Sequence, residues 1–169
     1  MSFGLSALAR RLMVDPAGVK ATLKVPALVW EAPPESGSDS GHWMMTDAGQ
    51  SLRRPRAGEP LIMPVEKVPG RKNPFAMGVT IGRVESNDII VDDGSVSRFH
   101  AWLQYDDRVQ AWHLTDAESK NGTWVNGKKL AGKQRITLTD GAEIKLGDVL
   151  VRFMLPEALL AFVDKASRR

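Results

Sequence analysis

The chain has 169 residues, of which 43% are hydrophobic, so it can form one ordinary domain with a modest extension and is not disordered throughout. It contains no cysteine, which excludes disulfides, thiolate metal sites and cysteine nucleophiles. The net charge of +3 favours anionic partners, but the basic residues are scattered among 20 acidic ones and no nucleic-acid-binding motif is present, so we expect no nucleic-acid partner.

The first segment of the chain has apolar residues at helical spacing, followed by Asp15-Pro16, which predicts a short amphipathic helix that ends there. The apolar positions are Leu5, Leu8, Ala9 and Leu12. The arginines follow these residues, whereas a secretory signal places them before. No apolar run approaches the roughly 18 residues that a membrane span needs. We therefore expect a cytoplasmic protein without a membrane span.

The next segment predicts a strand. Apolar and polar residues alternate with period two at 19–25, and Ala27–Trp30 follows a proline, which is typical of an edge strand. Such a strand extends the main domain or pairs with a partner, and we expect the first. Residues 31–41 have the proline, glycine and serine content of a flexible linker. The apolar island at 42–45 either folds back on the core or marks a contact surface.

The main part of the chain contains many short alternating segments separated by turn residues, which predicts an antiparallel sandwich. The predicted strands lie at 61–68, 75–83, 88–91, 100–105, 111–114, 136–138, 142–146 and 149–155. Asn126-Gly127 predicts a type I′ hairpin, because both central positions of that turn need a positive φ. After Pro156, the spacing of Leu159, Leu160 and Val163 predicts a helix that packs on the sandwich or on the N-terminal helix.

Three clusters join small or hydrogen-bonding residues to a cation: Gly82-Arg83, residues 97–100 and residues 119–123. Arg83 offers a planar fork of donors that matches two oxygens of a phosphate. Ser97 can donate its hydroxyl beside turn N–H groups that form an anion-binding concavity. Asn121 can clamp the backbone of another chain. Each residue taken alone fits an ordinary surface or turn position, but the combination favours a phosphate-binding site.

At these residues the sequence resembles the forkhead-associated (FHA) domain family, which reads phosphothreonine peptides. The resemblance extends to Asn126-Gly127, Asp140-Gly141 and Leu146-Gly147, and it covers roughly half of the chain. It implies an all-β fold, an FHA-like antiparallel β-sandwich of about eleven strands, to which the patterns above add short N- and C-terminal helices. We expect an N-terminal extension at 1–57, the FHA domain at 58–155 and a C-terminal helix at 156–169.

The resemblance also implies roles for individual residues. Arg83 and Ser97 would bind the phosphate, Arg98 and Lys120 would flank it, and Asn121 would hold the peptide main chain. Several relatives carry asparagine or lysine in place of Arg98 and threonine in place of Lys120, so the cations here favour an anion. The positions that would brace the loops are Gly82, His100, Gly122, Thr123 and Asn126.

The implied function is a signalling adaptor that binds phosphothreonine peptides, takes no cofactor, and has a Ser/Thr kinase or its substrates as partners. Selectivity beyond the phosphate would depend on Ser95 and on residues 118–121. Because Ser95 is small and neutral, we expect no strong demand for a charged residue at the peptide position that it reads.

No catalytic constellation stands out. The three histidines lack metal-ligand spacing, and the pair Ser97 and His100 lacks the glycine-bracketed elbow of a catalytic serine. Asp88 and Asp92-Asp93 lack the glycine and closing glutamate of a calcium loop, so we expect these acids to shape the loop before Ser97. The sequence therefore predicts a protein that is not an enzyme and holds no metal.

Alternatives of other kinds stay open. A phosphate-independent scaffold would use the FHA-like domain and the N-terminal extension for protein contacts. A nucleic-acid binder would show salt-dependent association with random duplex DNA. Within the signalling hypothesis, Thr46 is a candidate autoinhibitory site, because its phosphorylated form would occupy the pocket of its own domain.

Overall fold

The computed structural model describes residues 2–32, 54–71, 73 and 75–168. Most of the linker predicted at 31–41 lies outside these ranges, as do the whole apolar island at 42–45 and Thr46.

Within the described ranges the chain forms twelve strands and three helices. The strands are β1 (Phe3–Gly4), β2 (Ala27–Trp30), β3 (Leu61–Pro64), β4 (Val79–Gly82), β5 (Ile89–Ile90), β6 (Ala101–Asp106), β7 (Ala111–Asp116), β8 (Thr123–Val125), β9 (Lys128–Lys129), β10 (Arg135–Leu138), β11 (Glu143–Leu146) and β12 (Val149–Met154). The helices are α1 (Leu5–Val14), α2 (Pro16–Thr22) and α3 (Pro156–Ser167).

The described strands form two sheets that enclose one hydrophobic core. The seven-stranded sheet has the order β1-β3-β2-β12-β11-β8-β9, and the five-stranded sheet has the order β10-β7-β6-β4-β5. Neighbouring strands are antiparallel except β4 and β5, which are parallel. The predicted all-β sandwich with terminal helices is confirmed.

Strand β12 illustrates how the sequence positions the core. Val149, Val151 and Phe153 are buried between the sheets, whereas Leu150 and Arg152 point outward. This alternation places every second side chain on one face of the strand, as the sequence predicted.

The strand expected at 19–25 is wrong, because residues 16–22 form the helix α2. The carboxylate of Asp15 accepts a hydrogen bond from the Gly18 N–H at 2.9 Å, and Pro16 occupies the first turn of α2. An acidic cap followed by proline is a signal for the start of a helix. The Asp-Pro pair therefore ends α1 and also begins α2. Val19 and Leu23, four residues apart, share one buried helical face.

The edge position expected for Ala27–Trp30 is also wrong. Strand β2 lies between β3 and β12, and all four of its residues are buried. Leu28 and Trp30 face the core between the sheets, whereas Ala27 and Val29 face the helices. Strand β2 is therefore an interior strand of the seven-stranded sheet, and it adds to the main domain as expected. These contacts favour assigning β2 to the sandwich. The predicted boundary between an N-terminal extension and the FHA domain at residue 57 stays a prediction.

The helices cover the outer face of the seven-stranded sheet and form a second core there. Its buried members are Leu8, Ala9, Val19, Leu23, Ala27, Val29, Ile62, Leu159 and Val163. The C-terminal helix α3 packs on both α1 and the sheet, so the two alternatives for its packing are both realised. The first turn of α1 is held by Glu59, whose carboxylate accepts hydrogen bonds from the backbone N–H and the hydroxyl of Ser6.

We expect Leu159→Ala to lower the free energy of unfolding by about 2–5 kcal/mol, because the side chain is 1% exposed and its removal leaves a cavity in the second core. Urea denaturation at equilibrium measures the change. The matched control is Leu150→Ala, since Leu150 is 53% exposed on the same sheet and should cost less than about 1 kcal/mol. Equal losses in the two variants would contradict a buried second core.

Candidate functional site

Three loops meet at one end of the sandwich. The first (83–88) joins β4 to β5, the second (91–100) joins β5 to β6, and the third (117–122) joins β7 to β8. The backbone N–H of Arg83 donates to the carbonyl oxygen of Ser97 at 3.0 Å, which connects the first two loops. The backbone N–H of Lys120 donates to the Ser97 hydroxyl oxygen at 2.9 Å, which connects the third. Ser97 is therefore the residue at which the loops converge.

The guanidinium of Arg83 is exposed and is oriented by the second loop. Its Nε donates to the carbonyl oxygen of Val96 at 3.2 Å. Among the residues that the structure describes, its two terminal nitrogens have no hydrogen-bond partner. The protein thus fixes the direction of the fork and leaves its outer donors available to an anion.

Ser97 is held at three points. Besides the two bonds above, its backbone N–H donates to Nδ1 of His100 at 3.0 Å. Because the hydroxyl oxygen accepts from the Lys120 N–H, the hydroxyl hydrogen can still be donated to a ligand. Ser97 is half-buried and its backbone is bonded to that of Arg83, so its side chain is accessible next to the first loop.

Arg98 of the second loop and Lys120 and Asn121 of the third loop are exposed. No carboxylate lies within 4.0 Å of the charged groups of Arg98 or Lys120 in the described part of the chain. Asn121 Nδ2 donates to the carbonyl oxygen of Ser95 at 2.8 Å, so the Asn121 side chain ties the third loop to the second. All five residues predicted to contact the phosphopeptide are therefore brought to these loops, and their binding roles stay predictions.

The buried side chain of His100 connects the second and third loops on the side that faces the core. It is fully buried, its Nδ1 accepts from the Ser97 N–H, and its Nε2 lies 3.0 Å from the carbonyl oxygen of Gly122. Burial lowers the pKa of His100 and outweighs the opposing effects of the Gly122 carbonyl and of Asp116. The ring is therefore neutral at neutral pH. Because Nδ1 accepts from the Ser97 N–H, its proton is on Nε2.

Asp116, which is not among the predicted site residues, organises the third loop. Its carboxylate accepts from the Ser119 hydroxyl at 2.6 Å, from the Ser119 N–H at 3.0 Å and from the Thr123 hydroxyl at 2.6 Å. Burial opposes ionisation, but these hydrogen bonds outweigh it and the pKa of Asp116 lies below its ordinary value. An aspartate followed three residues later by serine is a turn signal that could have identified it.

Two further polar residues stabilise the first and second loops. Asn87 Nδ2 donates to the carbonyl oxygens of Val84 at 2.9 Å and Arg98 at 2.6 Å. The carboxylate of Asp93 accepts from the Ser95 N–H at 2.9 Å and from the Ser95 hydroxyl at 2.7 Å. Asp93 thus shapes the loop before Ser97, whereas the part played by Asn87 was missed.

The residues expected to brace the loops occupy different places. A Cβ atom at Gly82 would stand 2.2 Å from the carbonyl oxygen of Arg98, so only glycine allows this approach. Gly122 has φ +93, which favours glycine. Thr123 bonds to Asp116, as described above. Asn126 lies at the far end of β8, where it has φ 49 and its side-chain oxygen accepts from the Glu143 N–H at 2.9 Å. It braces β11 rather than the three loops.

Metal-binding clusters and membrane-spanning helices are absent from the described ranges. No group of three or more histidine, aspartate or glutamate side chains is placed to hold a metal ion there. None of the described helices is both long and apolar enough to cross a bilayer. The absence of an enzymatic activity stays a prediction.

The comparison with protein families decides the identity of this region. The FHA domain family matches residues 79–147, which contain all three loops. This chain contains an FHA domain. The matched region begins at β4 and ends just before β12, so the helices and β1, β2 and β3 lie outside the matched residues of the FHA domain.

Several known proteins share the FHA region. The chain is 34% identical over 80 residues to the mouse angiogenic factor with G patch and FHA domains 1, covering 44% of this chain and 11% of that protein. It is 29% identical over 119 residues to the oxoglutarate dehydrogenase inhibitor of Corynebacterium diphtheriae, covering 69% of this chain and 78% of that one. The solved structure of Mycobacterium tuberculosis EmbR with a low affinity phosphopeptide aligns at 32% identity and TM-score 0.41, covering 47% of this chain and 20% of that chain. The chain spans only 11% to 20% of the length of the first curated relatives it matches.

The buried histidine of the FHA domain predicts a pH dependence of stability. In the unfolded chain His100 has a pKa of about 6.5, and in the folded domain its pKa is lower. Between these values the unfolded chain binds more protons, so the free energy of unfolding falls as the pH decreases below about 6.5. We expect a loss of up to about 1.4 kcal/mol per pH unit in this window, measured by urea denaturation.

The control is His100→Asn, which removes the titrating ring. This variant should be less stable at neutral pH, because the bonds to Ser97 and Gly122 are weakened, but its stability should depend less on pH. If both proteins lost stability equally on acidification, His100 would not be the group that titrates on unfolding.

Proposed function

We propose that the FHA domain binds phosphothreonine peptides and that the chain acts as a signalling adaptor for proteins phosphorylated by Ser/Thr kinases. The main support is the position of two donors: the outer edge of the Arg83 guanidinium and the hydroxyl hydrogen of Ser97 are both available beside the second loop. The match to the FHA domain family supports the same ligand class. We propose a cytoplasmic location and a kinase or its substrates as partners.

The chemistry of a phosphate matches these donors. A phosphothreonine carries about −1.5 to −2 charges near neutral pH and presents three strong acceptor oxygens. Arg83 would bind two of the oxygens through its fork, and Ser97 would donate to one. Arg98 and Lys120 would add positive potential without a carboxylate neutralising them in the described part of the chain.

The peptide main chain would be held by Asn121. Its Nδ2 donates to the Ser95 carbonyl, which orients the side-chain amide. The oxygen of that amide can accept a backbone N–H from the peptide. A side chain that is already oriented loses less conformational entropy on binding, so this bond favours affinity.

The alternative of a phosphate-independent scaffold rested partly on an N-terminal strand that could pair with a partner. Strand β2 is bonded to β3 and β12 on its two sides, so it offers no free edge. This observation favours the phosphopeptide function over the strand-pairing form of the alternative.

We expect Arg83→Ala to weaken binding of a phosphothreonine peptide by about 10- to 150-fold, because charge-assisted hydrogen bonds contribute about 1.5–3 kcal/mol. The peptide comes from a phosphothreonine library screened on the wild-type chain, and fluorescence anisotropy measures affinity. The matched control is Arg108→Ala, which removes the same charge from the hairpin at the opposite end of β6 and should change affinity less than about twofold.

The same titrations separate the two functions. The unphosphorylated peptide should bind at least about 100-fold more weakly than the phosphorylated one, in proportion to the loss of two or more charge-assisted bonds. Equal affinities for the two peptides would support the scaffold and reject the phosphopeptide function. Thermal unfolding of each variant verifies that lost binding is not lost folding.

A further inference from the structure

Two lysines and a tryptophan form a row on the outer face of the seven-stranded sheet. Trp124 of β8 is paired in register with Lys129 of β9 on one side and with Lys145 of β11 on the other. The ammonium groups of Lys129 and Lys145 lie 5.3 Å and 4.5 Å from the centre of the Trp124 ring. Both lysines are exposed, so the row faces solvent.

The two lysines of the row form no ion pair with a described carboxylate, so their positive charge is not neutralised by one. No carboxylate lies within 4.0 Å of either ammonium in ranges 2–32, 54–71, 73 and 75–168. The nearest charged pair in the register is Glu143 opposite Arg152, one row further along β11. Two like charges held against one ring repel each other, and a bound anion that contacts both would relieve this repulsion.

The row is continuous with the third loop. A Cβ atom on Gly122 would stand 2.9 Å from Lys129 Cε and 3.1 Å from Trp124 Cη2. Gly122 directly follows Asn121, and consecutive Cα atoms are about 3.8 Å apart. A peptide held by Asn121 would therefore lie close to the Trp124 ring.

We propose that Lys129 and Lys145 form a second anion subsite, which binds a carboxylate or a phosphate on the same peptide as the phosphothreonine. The inference rests on the proposed function, because the first phosphate anchors the peptide next to this row. The cation–π contacts hold both ammonium groups against the same Trp124 ring, so that one acidic group can reach the two cations together. The subsite would prefer an acidic peptide residue. At the peptide position that Ser95 reads, by contrast, we expect no preference for a charged residue.

The number of charges favours a peptide over nucleic acid. Nonspecific affinity for DNA comes from neutralising several phosphates together. Lys129 and Lys145 offer two charges, and the next row of the same face contains the carboxylate of Glu143. One acidic side chain next to an anchored phosphothreonine fits this arrangement.

The test uses the full chain and the phosphothreonine peptide selected above, with neutral flanking residues. Glutamate is introduced at each flanking position in turn, and phosphoserine is introduced in a parallel series to separate a carboxylate ligand from a phosphate ligand. Affinities are measured for the wild type and for the double variant Lys129→Ala/Lys145→Ala. The control is Lys20→Ala/Lys165→Ala, which removes the same charge from exposed positions on α2 and α3.

We expect at least one acidic position to raise wild-type affinity about 3- to 30-fold, as two exposed ion pairs allow. The gain should fall below about twofold in Lys129→Ala/Lys145→Ala and persist in the control variant. Affinity for the neutral peptide should differ little among the three proteins.

Other results would overturn the inference. It fails if no acidic position strengthens binding, if the gain survives in Lys129→Ala/Lys145→Ala, or if an acidic peptide without phosphothreonine binds equally well. A double variant that loses affinity for duplex DNA while keeping the acidic gain would assign the row to nucleic acid. If the neutral phosphopeptide does not bind the wild type at all, the proposed function itself fails, and that outcome is distinct from a missing acidic gain.

Discussion

The hydrogen-bonded bridge through His100 is the interaction on which the site depends. One ring nitrogen accepts from the Ser97 N–H and the other donates to the Gly122 carbonyl, so one buried side chain connects the second and third loops beneath the exposed bonds made by Lys120 and Asn121. The Gly122 carbonyl also accepts from the Gly147 N–H at 3.0 Å, which links the bridge to the turn before β12. A neutral ring is required, because a charged one would have no acceptor for its second proton at Ser97.

Buried carboxylates perform a similar task on either side of this bridge. The side chain of Asp88 is fully buried and accepts from Lys67 at 2.8 Å, from the Thr80 N–H at 2.9 Å and from the Val68 N–H at 3.0 Å. Burial opposes its ionisation, but these bonds outweigh burial and the pKa of Asp88 lies below its ordinary value. Asp88 thereby fixes the end of the first loop as Asp116 fixes the third. Each loop is anchored by buried polar groups and presents its cations outward, which is the arrangement that pre-organised anion binding needs.

The features predicted from sequence were those specified by local patterns. The alternation in β12 and the Asn126-Gly127 turn, with φ angles of 49° and 82°, each depend on a few adjacent residues and were foreseen. The segment at 19–25 was not, because Val19 and Leu23 satisfy period two and helical spacing alike, and the cap at Asp15 decides between them. Nor was the link from Asn121 to Ser95, whose partners are distant in sequence. Long-range hydrogen bonds leave no periodic pattern in a sequence, so links of this kind could be found only in the fold.

The helices explain why the charged row is exposed. One line of paired residues crosses the outer face of the seven-stranded sheet, and its residues change from charged to apolar. In order across the strands it contains Glu143, Arg152, Val29, Ile62 and Phe3. The apolar end is covered by α1, α2 and α3, which bury Val29 and Ile62, whereas the charged end is not part of the second core. The helical cover therefore ends at β12, and the strands beyond it, β11, β8 and β9, present Lys145, Trp124 and Lys129 beside the third loop.

A sheet face left uncovered in a sandwich must be polar to remain soluble, but polarity alone does not require two cations on one aromatic ring. These cations lie next to the loops that hold Ser97 and Asn121, which is why the proposed peptide site can continue onto this face.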